Sequence, residues 1–305
     1  MKIFISISLI ATAFYSYTSF SEDIGRALPL PAEVAPISQP PDAVYDRLLD
    51  SRYSLFPHKG TYFFPYSHNS TPHPDLYQEI ETAEHKEGKS FYEKTEAEFQ
   101  ISFLVPVLRK IAESHWDFMV AYTHHSWWQA YNTAWSKPFR ETNYMPEVFF
   151  RYFERDLKQN DFGFTAVAFD VGYSHESNGQ IQALSRSWDR LQARLALVKP
   201  SFLVRVSFWY RLPETTPDDN PHLLRFRGTG EIEFRKSFMK HTFSLQTPVG
   251  AQYLSLAASY SYPWRNHLRW VVSYEYGYGH SLIEYDRRVE RIAFGLALEN
   301  LLDRQ

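Results

Sequence analysis

Residues 202–212, FLVRVSFWYRL, alternate between apolar and polar side chains. Phe202, Val204 and Phe208 fall on one face of an extended chain. Arg205 and Ser207 fall on the other face, because successive side chains of a strand point to opposite sides. A period of two residues is typical of a β-strand that has one face in apolar surroundings. This stretch therefore predicts a strand, and the same pattern recurs through the chain.

The recurring period predicts about twelve strands. They cover residues 61–69, 96–109, 115–131, 146–156, 161–177, 187–199, 201–212, 223–235, 238–247, 251–262, 266–280 and 288–299. Several exceed the usual length of strands in soluble proteins and suit a tilted membrane span. The predicted connections alternate between tight turns and longer loops, as in transmembrane barrels. The predicted fold class is all-β, a transmembrane antiparallel β-barrel over residues 59–305. A soluble secreted β-protein is the alternative.

The N-terminal residues differ from the rest in composition. Residues 1–21 contain one lysine, an apolar run and a small-residue ending, which together predict a secretory signal peptide. The apolar run is too short for a membrane anchor. Residues 22–58 are rich in proline and predict an extended periplasmic arm. The predicted location is the outer membrane of a Gram-negative bacterium.

Composition limits the classes of function. The chain contains no cysteine, so disulfide bonds cannot stabilise it after export. Its formal net charge of −3 gives no electrostatic reason to expect a nucleic-acid partner. Aromatic residues make up 17% of the chain. Together with the strand pattern and the export signal, this content favours an outer-membrane barrel.

A candidate catalytic site lies in YSHESNGQIQALSRSWDR, residues 173–190. His175 and Ser177 continue the outward face of one predicted strand, and Asp189 lies on the outward face of the next. If Ser177 pairs with Ser187, His175 stands opposite Asp189, with Cβ atoms about 4.5–5.5 Å apart. An acid, a histidine and a serine are the groups that together activate a hydroxyl nucleophile.

The alternative is that these are ordinary polar residues just above the membrane edge. The chain has 12 histidines, and the pattern His-x-Ser also occurs at His68/Ser70 and at His124/Ser126. The strand pattern places no carboxylate opposite either of those two pairs. The cross-strand acid therefore distinguishes the first pair from the others.

Two long stretches of the chain resemble a known family. They are SWWQAYNTAWSKPFRETNYMPEVF (126–149) and VGYSHESNGQIQALSRSWDRL (171–191), supported by DDNP (218–221) and YGYGHSLIEY (276–285). On these motifs the chain resembles outer-membrane phospholipase A, a calcium-dependent barrel enzyme of twelve strands. The resemblance implies a phospholipid substrate and activity of the A1/A2 and lysophospholipase type.

The resemblance implies roles for residues of the second stretch. It makes Ser177 the nucleophile and His175 its base, and it assigns the amide of Gly179 to the oxyanion hole. Asp189 stands where the family typically has an asparagine that orients the histidine. A carboxylate there stabilises an imidazolium, whereas an amide only orients the ring. The carboxylate also costs more to remove from water at a lipid edge.

The resemblance also implies a catalytic Ca²⁺ at the interface of a homodimer that forms on activation. It carries the metal ligands onto the Gln180 carbonyl, Ser185, Asp219 and Ser136 of the partner subunit. Gln180 replaces an arginine of the family, which a backbone-carbonyl ligand tolerates. Oxygen ligands are what a hard cation such as Ca²⁺ prefers. His124 stands where the family has a glutamine buried between subunits, and the alternative for it is a place in the aromatic belt.

The predicted function is a calcium-dependent outer-membrane phospholipase with a serine nucleophile. The main alternative is a non-enzymatic barrel, either a pore or an inactive relative. In that case the inward arginine and glutamate side chains would line a channel, or pair and close it. A soluble secreted esterase is the third possibility.

Overall fold

The computed structural model describes residues 55–86, 88–153, 163–214, 218–265 and 267–298. The predicted signal peptide, residues 1–21, lies outside the described residues. So does the predicted arm, residues 22–58, except for its last four positions.

Thirteen antiparallel strands form one sheet within these residues. They are β1 (Phe56–Pro57), β2 (Tyr62–Asn69), β3 (Thr95–Leu108), β4 (Trp116–Trp128), β5 (Phe139–Phe153), β6 (Thr165–Ser177), β7 (Ser187–Lys199), β8 (Phe202–Arg211), β9 (Gly230–Phe238), β10 (His241–Val249), β11 (Ser255–Arg265), β12 (Leu268–Gly277) and β13 (Val289–Leu298). Strands β2 to β13 pair in sequence, and β13 pairs back with β2, so that twelve strands close a ring. The short β1 pairs with β3 beyond the end of β2. The predicted barrel of twelve strands is confirmed.

Short helices lie in the connections between strands. Two are α-helices, α1 (Gln78–Ala83) and α2 (Leu223–Arg227). The 3₁₀ turns are Pro74–Tyr77, Ile111–Glu113, Thr133–Trp135 and Gln182–Leu184. No helix within the described ranges is long and apolar enough to cross a membrane.

The two ends of the barrel differ in the length of their connections. Turns of two residues join β7 to β8, β9 to β10 and β11 to β12 at one end. Longer loops follow β2, β4, β6, β8 and β12 at the other end. These connections follow the predicted alternation of short periplasmic turns and longer external loops. The connection from β3 to β4, residues 109–115, departs from it, since it is longer than residues 250–254 between β10 and β11 at the other end. All the candidate site residues belong to the end that carries the long loops.

Several local predictions were wrong. The predicted strand 146–156 starts seven residues earlier, because β5 begins at Phe139, which already pairs with Trp128 of β4. The predicted strand 223–235 begins as helix α2, and its strand starts only at residue 230. Helix α2 buries Phe226 against the rings of Tyr253 and Tyr285, so loop packing decides its conformation. The turns predicted at 236–237 and 263–265 lie further along, because β9 continues to Phe238 and β11 to Arg265. The turn predicted at 157–160 lies outside the described residues.

The period of two separates an apolar outer wall from a polar interior. Large apolar side chains remain exposed on the outer wall, as expected for a surface in contact with lipid. They include Phe63, Ile101, Val120, Val148, Phe150, Val171, Leu191, Phe208, Phe234, Phe243, Trp270, Val272, Ile292 and Phe294. Charged and amide side chains on the opposite parity are buried within the barrel.

The interior charges pair with one another. Arg140 forms a bidentate contact with Glu96, at 2.9 and 3.0 Å, and lies 3.1 Å from Glu284. Arg194 lies 2.8 Å from Glu147 and 3.3 Å from Asp170. Pairing of this kind compensates the cost of burying each charge. These paired side chains occupy part of the barrel interior, as expected for a narrow barrel.

The residues just before β2 add to this interior network. His58 Nε2 lies 3.1 Å from Glu147 Oε1, and the imidazole stacks on Phe149. Lys59 Nζ lies 2.8 Å from the same carboxylate oxygen. The last residue of the predicted arm and the first of the predicted barrel domain therefore contact the inner wall of β5.

Candidate active site

Strands β6 and β7 bring the candidate catalytic residues together. Ser177 pairs with Ser187, and His175 pairs with Asp189, as the sequence predicts. Ser174 and Glu176 alternate with the candidates and are buried on the inner side. The candidate residues therefore share the outer face at the end of the strand pair.

A hydrogen bond links the candidate base to the candidate acid. His175 Nδ1 lies 2.8 Å from Asp189 Oδ1, and each side chain is about one-third exposed, at 36% and 34%. The hydroxyl of Tyr173 donates a second hydrogen bond to the same carboxylate oxygen. The contact at Nδ1 leaves Nε2 of the ring to face a substrate or a hydroxyl group.

Ser177 lies two residues beyond His175 on the same face and is half-buried. No hydrogen-bond partner of its hydroxyl lies among the described residues. Catalytic hydrogen bonds are often long in unliganded enzymes and tighten only when the substrate is bound. The strand geometry thus places hydroxyl and imidazole as neighbours, and rotation about the Ser177 Cα–Cβ bond changes the distance between them.

The loop that follows Ser177 is organised by Asn178. Its side-chain oxygen accepts hydrogen bonds from the amides of Gln180 and Arg186, at 3.1 and 3.0 Å. Its amide group donates to the carbonyl of Leu184 at 2.7 Å. Asn178 is fully buried, so one side chain fixes both ends of the loop next to the candidate nucleophile.

Gly179 occupies a backbone conformation that suits only glycine at low cost. Its φ is +62°, in the left-handed region. A Cβ atom there would lie 3.1 Å from Cε2 of Tyr144. Both constraints explain glycine at the position that the resemblance assigns to the oxyanion hole.

Two of the candidate metal ligands meet across loops. Ser185 Oγ lies 2.5 Å from Asp219 Oδ2, although one residue precedes β7 and the other follows β8. The carbonyl of Ser185 accepts a hydrogen bond of 2.6 Å from the side chain of Arg186. The hydroxyl of Ser185 and the carboxylate of Asp219 are therefore in contact, and both are oxygen ligands of the kind that Ca²⁺ prefers.

The loop that carries Asp219 is held by Arg211, the last residue of β8. The guanidinium donates to Glu214 at 2.9 Å, to Asp218 at 2.8 Å and to the carbonyl of Asn220 at 2.9 Å. Partial burial raises the pKa of the Glu214 carboxyl, although Arg211 opposes that shift. Because Arg211 engages the neighbouring carboxylate, Asp219 is left to face Ser185.

The other two candidate ligands lie apart from this pair. Gln180 is exposed in the loop after β6. Ser136 is exposed in the loop between β4 and β5, with φ +54°. Among the described residues, no group of three or more His, Cys, Asp or Glu side chains is placed to hold a metal ion. A cation site here would depend on hydroxyl and carbonyl oxygens beside the Asp219 carboxylate.

A second His-x-Ser pair lies on the outer face of β4. Ser126 Oγ lies 2.9 Å from His124 Nε2, and the imidazole stacks on Phe99. Ser126 also contacts the hydroxyl of Thr142, at 2.9 Å. Within the described ranges no carboxylate hydrogen-bonds to His124. Contact between a serine and a histidine is thus not enough to identify a catalytic pair. The carboxylate of Asp189 distinguishes the pair on β6 from the pair on β4.

The profile of the phospholipase A1 family matches residues 45–298. The chain belongs to the phospholipase A1 family. It is 33% identical over 254 residues to phospholipase A1 of Klebsiella pneumoniae, covering 83% of this chain and 85% of that protein. It is 32% identical over 258 residues to phospholipase A1 of Escherichia coli K12, covering 83% and 84%.

Solved structures of related proteins have the same fold. Outer membrane phospholipase A from Escherichia coli superposes with a TM-score of 0.74 at 31% identity, covering 83% of this chain and 94% of that one. The Salmonella typhi outer membrane phospholipase, solved as a dimer with bound calcium, gives the same score and identity, covering 82% and 94%. The predicted outer-membrane phospholipase and its location in a Gram-negative outer membrane are confirmed.

Three residues of this phospholipase A1 family member were missed by the sequence analysis. Tyr173 donates a hydrogen bond to Asp189. Asn178 accepts hydrogen bonds that organise the loop after Ser177. Arg211 forms an ion pair with Asp218, next to Asp219. Asn178 had a signal, since asparagine followed by glycine is typical of turns. Tyr173 shares the outward parity of His175, but parity alone does not separate it from an aromatic residue of the outer wall.

Proposed function

We propose that this phospholipase hydrolyses acyl ester bonds of phospholipids, with A1, A2 and lysophospholipase activity, through Ser177 as nucleophile and His175 as general base. The observation that supports the proposal best is the hydrogen bond of 2.8 Å between His175 Nδ1 and Asp189 Oδ1. It orients the imidazole and stabilises the positive charge that the ring acquires. The second His-x-Ser pair has no such partner among the described residues.

The proposed reaction proceeds by acyl transfer. Ser177 Oγ attacks the acyl carbonyl carbon while His175 Nε2 takes the hydroxyl proton. The carbonyl oxygen becomes an oxyanion, which the amide of Gly179 stabilises by a hydrogen bond. The ester bond then breaks, and the alcohol leaves with the proton from His175. Water, activated by the same histidine, releases the fatty acid and regenerates Ser177.

The position of the site suits a membrane substrate. His175 and Ser177 lie on the outer face of β6, at the end of the barrel that carries the long loops. Exposed apolar side chains of the same two strands, Val171 and Leu191, continue that face along the wall. The acyl chains of a phospholipid in the outer leaflet would lie against these residues, and the ester group would reach Ser177 at the rim.

Calcium is proposed as the cofactor. The dimer of the Salmonella typhi relative contains bound calcium. In this chain, Ser185 and Asp219 bring a hydroxyl and a carboxylate oxygen within 2.5 Å, a donor set that suits a hard cation. Ser185, Asp219 and the carbonyl of Gln180 would hold the ion. When bound, it would supply positive charge beside the oxyanion.

The proposed active form is a homodimer. Ser136 lies in the loop after β4, whereas Ser185 and Asp219 lie in the loops after β6 and β8. A second subunit could present its own copy of the Ser136 loop to this pair. The Salmonella typhi relative, solved as a dimer with bound calcium, supports a dimeric form. Binding of calcium between two subunits would couple the metal to dimerisation.

The test is hydrolysis of phospholipid in detergent micelles containing calcium. Ser177→Ala and His175→Ala should each lose activity by about 1,000-fold or more, as expected when a nucleophile or its base is removed. Ser126→Ala is the matched control, because it removes the hydroxyl of the other His-x-Ser pair on the same wall. Its activity should stay close to that of the wild type.

Residual activity above a tenth of wild type in Ser177→Ala or His175→Ala contradicts the assignment. A wild-type protein that is folded but inactive under all these conditions would favour the inactive relative. The paired interior charges speak against a passive pore.

A further inference from the structure

Tyr173 lies on the outer face of β6, two residues before His175. Tyr173 pairs with Leu191 of β7. This is the next outward-facing pair after His175 and Asp189, on the side away from the rim. Diagonal neighbours on one face of a sheet lie about 7–8 Å apart, within reach of an aromatic side chain. The phenol ring spans this distance, and its hydroxyl donates a hydrogen bond to Asp189 Oδ1. The same oxygen lies 2.8 Å from His175 Nδ1.

We propose that Tyr173 is a positioning residue of the hydrolytic site, acting through the carboxylate of Asp189. Its hydroxyl fixes the rotamer in which the carboxylate faces His175 Nδ1. It also supplies a second donor to a charged group in a partly lipid-facing position. The proposal rests on the catalytic roles proposed above for Ser177, His175 and Asp189.

The charge of Asp189 explains why a second donor is needed. A carboxylate on the outer wall loses part of its hydration to lipid, which costs more than the same change for a neutral side chain. Hydrogen bonds to an ionised acceptor are about twice as strong as those between neutral groups. Tyr173 and His175 are the donors that the described residues supply to this carboxylate. Two donors on one oxygen orient the group more tightly than His175 alone.

Other contacts fix the backbone of Asp189 but not its side chain. Its carbonyl accepts a hydrogen bond of 2.8 Å from the amide of Leu212. The charges of Arg190 and Glu214 also act near the site, from β7 itself and from the loop after β8. The side-chain torsion that brings Oδ1 to His175 therefore depends on the phenol.

The experiment compares Tyr173→Phe with Tyr210→Phe. Both exchanges remove one hydroxyl from an outward-facing tyrosine. Leu191 of β7 pairs with Tyr173 on β6 and with Tyr210 on β8, so the two tyrosines flank the same residue. With a monomeric phospholipid analogue in detergent, Tyr173→Phe should lower kcat by about 10- to 100-fold, in line with a hydrogen bond to a charged group. KM should stay within about two-fold, because the hydroxyl acts on the base and not on substrate binding. Tyr210→Phe should change neither constant.

A second comparison separates positioning from a structural role. In the Asp189→Asn background the Tyr173→Phe exchange should lower kcat by no more than about three-fold, since its acceptor is then neutral. Equal losses in the two backgrounds would overturn the proposal. So would a wild-type kcat in Tyr173→Phe, or a rise in KM alone. If Ser177→Ala remains active, the proposed function fails first, and that outcome is distinct from these.

Discussion

Ser185 Oγ lies 2.5 Å from Asp219 Oδ2, although 34 positions separate the two residues in the sequence. One belongs to the loop between β6 and β7 and the other to the loop between β8 and β9. The contact brings two oxygen donors of the kind that bind calcium to the same rim as His175 and Ser177. Ser136, which is proposed to come from the partner subunit, lies in a third loop, between β4 and β5.

Calcium is therefore expected to drive dimerisation. Calcium at about millimolar levels, the range typical of extracellular sites, should shift the protein from monomer to dimer in detergent. Ser185→Ala and Asp219→Asn should weaken that shift together with activity. Sedimentation with calcium and with chelator measures the shift. Asp75→Asn is the control, since Asp75 is a carboxylate of another long loop that pairs with Arg287 at 3.0 Å. Full activity in a strictly monomeric, calcium-free preparation would remove both metal and partner from the mechanism.

Exchanges at Asp189 should separate orientation from charge. Asp189→Asn should keep kcat/KM within about ten-fold of wild type, because an amide oxygen still accepts the hydrogen bond from His175 Nδ1. Asp189→Ala should lose about 100-fold or more, because the ring then has no partner at Nδ1. The measurement is kcat/KM for steady-state hydrolysis by both variants, which shows whether orientation of the ring or charge of the carboxylate matters more. Complete loss in both would mean that the carboxylate charge itself is essential.

The amide of Gly179 can be tested through its backbone conformation. Gly179→Ala combines a left-handed φ, which costs about 1–2 kcal/mol for a residue with a Cβ, with a contact of 3.1 Å to Tyr144. Displacement of the amide should lower kcat by about 10-fold or more. Gly163→Ala is the matched control, since its φ is +76° but its Cβ would meet only Lys199, at 3.7 Å. Equal kcat values for the two variants would speak against an oxyanion role for Gly179.

Glu176 lies between His175 and Ser177 but points into the barrel. Its carboxylate accepts hydrogen bonds from Trp188 at 3.0 Å, Arg190 at 3.0 Å and Arg227 at 2.9 Å. Glu176→Ala should lower the free energy of unfolding by about 3–5 kcal/mol, because the buried guanidinium of Arg190 and the partly buried guanidinium of Arg227 lose their counter-charge.

Urea unfolding of the folded barrel in detergent measures this loss. Glu79→Ala in helix α1, at an exposed position, should change the free energy of unfolding by less than about 0.5 kcal/mol. A loss at Glu176 as small as at Glu79 would mean that the interior charges do not depend on this carboxylate.

The alternating pattern determined most of the barrel and part of the site. Because a strand has a period of two, the sequence by itself put His175, Ser177 and Asp189 on the outer face and Glu176 inside. The simplest symmetric register of the two antiparallel strands pairs Ser177 with Ser187, and the pairing of His175 with Asp189 followed from it. The pattern failed where it was short. Leu224 and Phe226 alternate as a strand would, but they belong to a helix whose side chains pack under the external loops.

Only the tertiary structure decided which loop residues meet. Side chains in irregular loops follow no period, so the contact of Ser185 with Asp219 could not be predicted from spacing. The same is true of the hydrogen bonds by which Asn178 connects the two ends of its loop. Likewise, the period of two residues placed Tyr173 on the outer face but did not distinguish it from the other aromatic residues of the outer wall. The twist and stagger of β6 against β7 brought its hydroxyl to Asp189, and this depends on how the whole sheet closes.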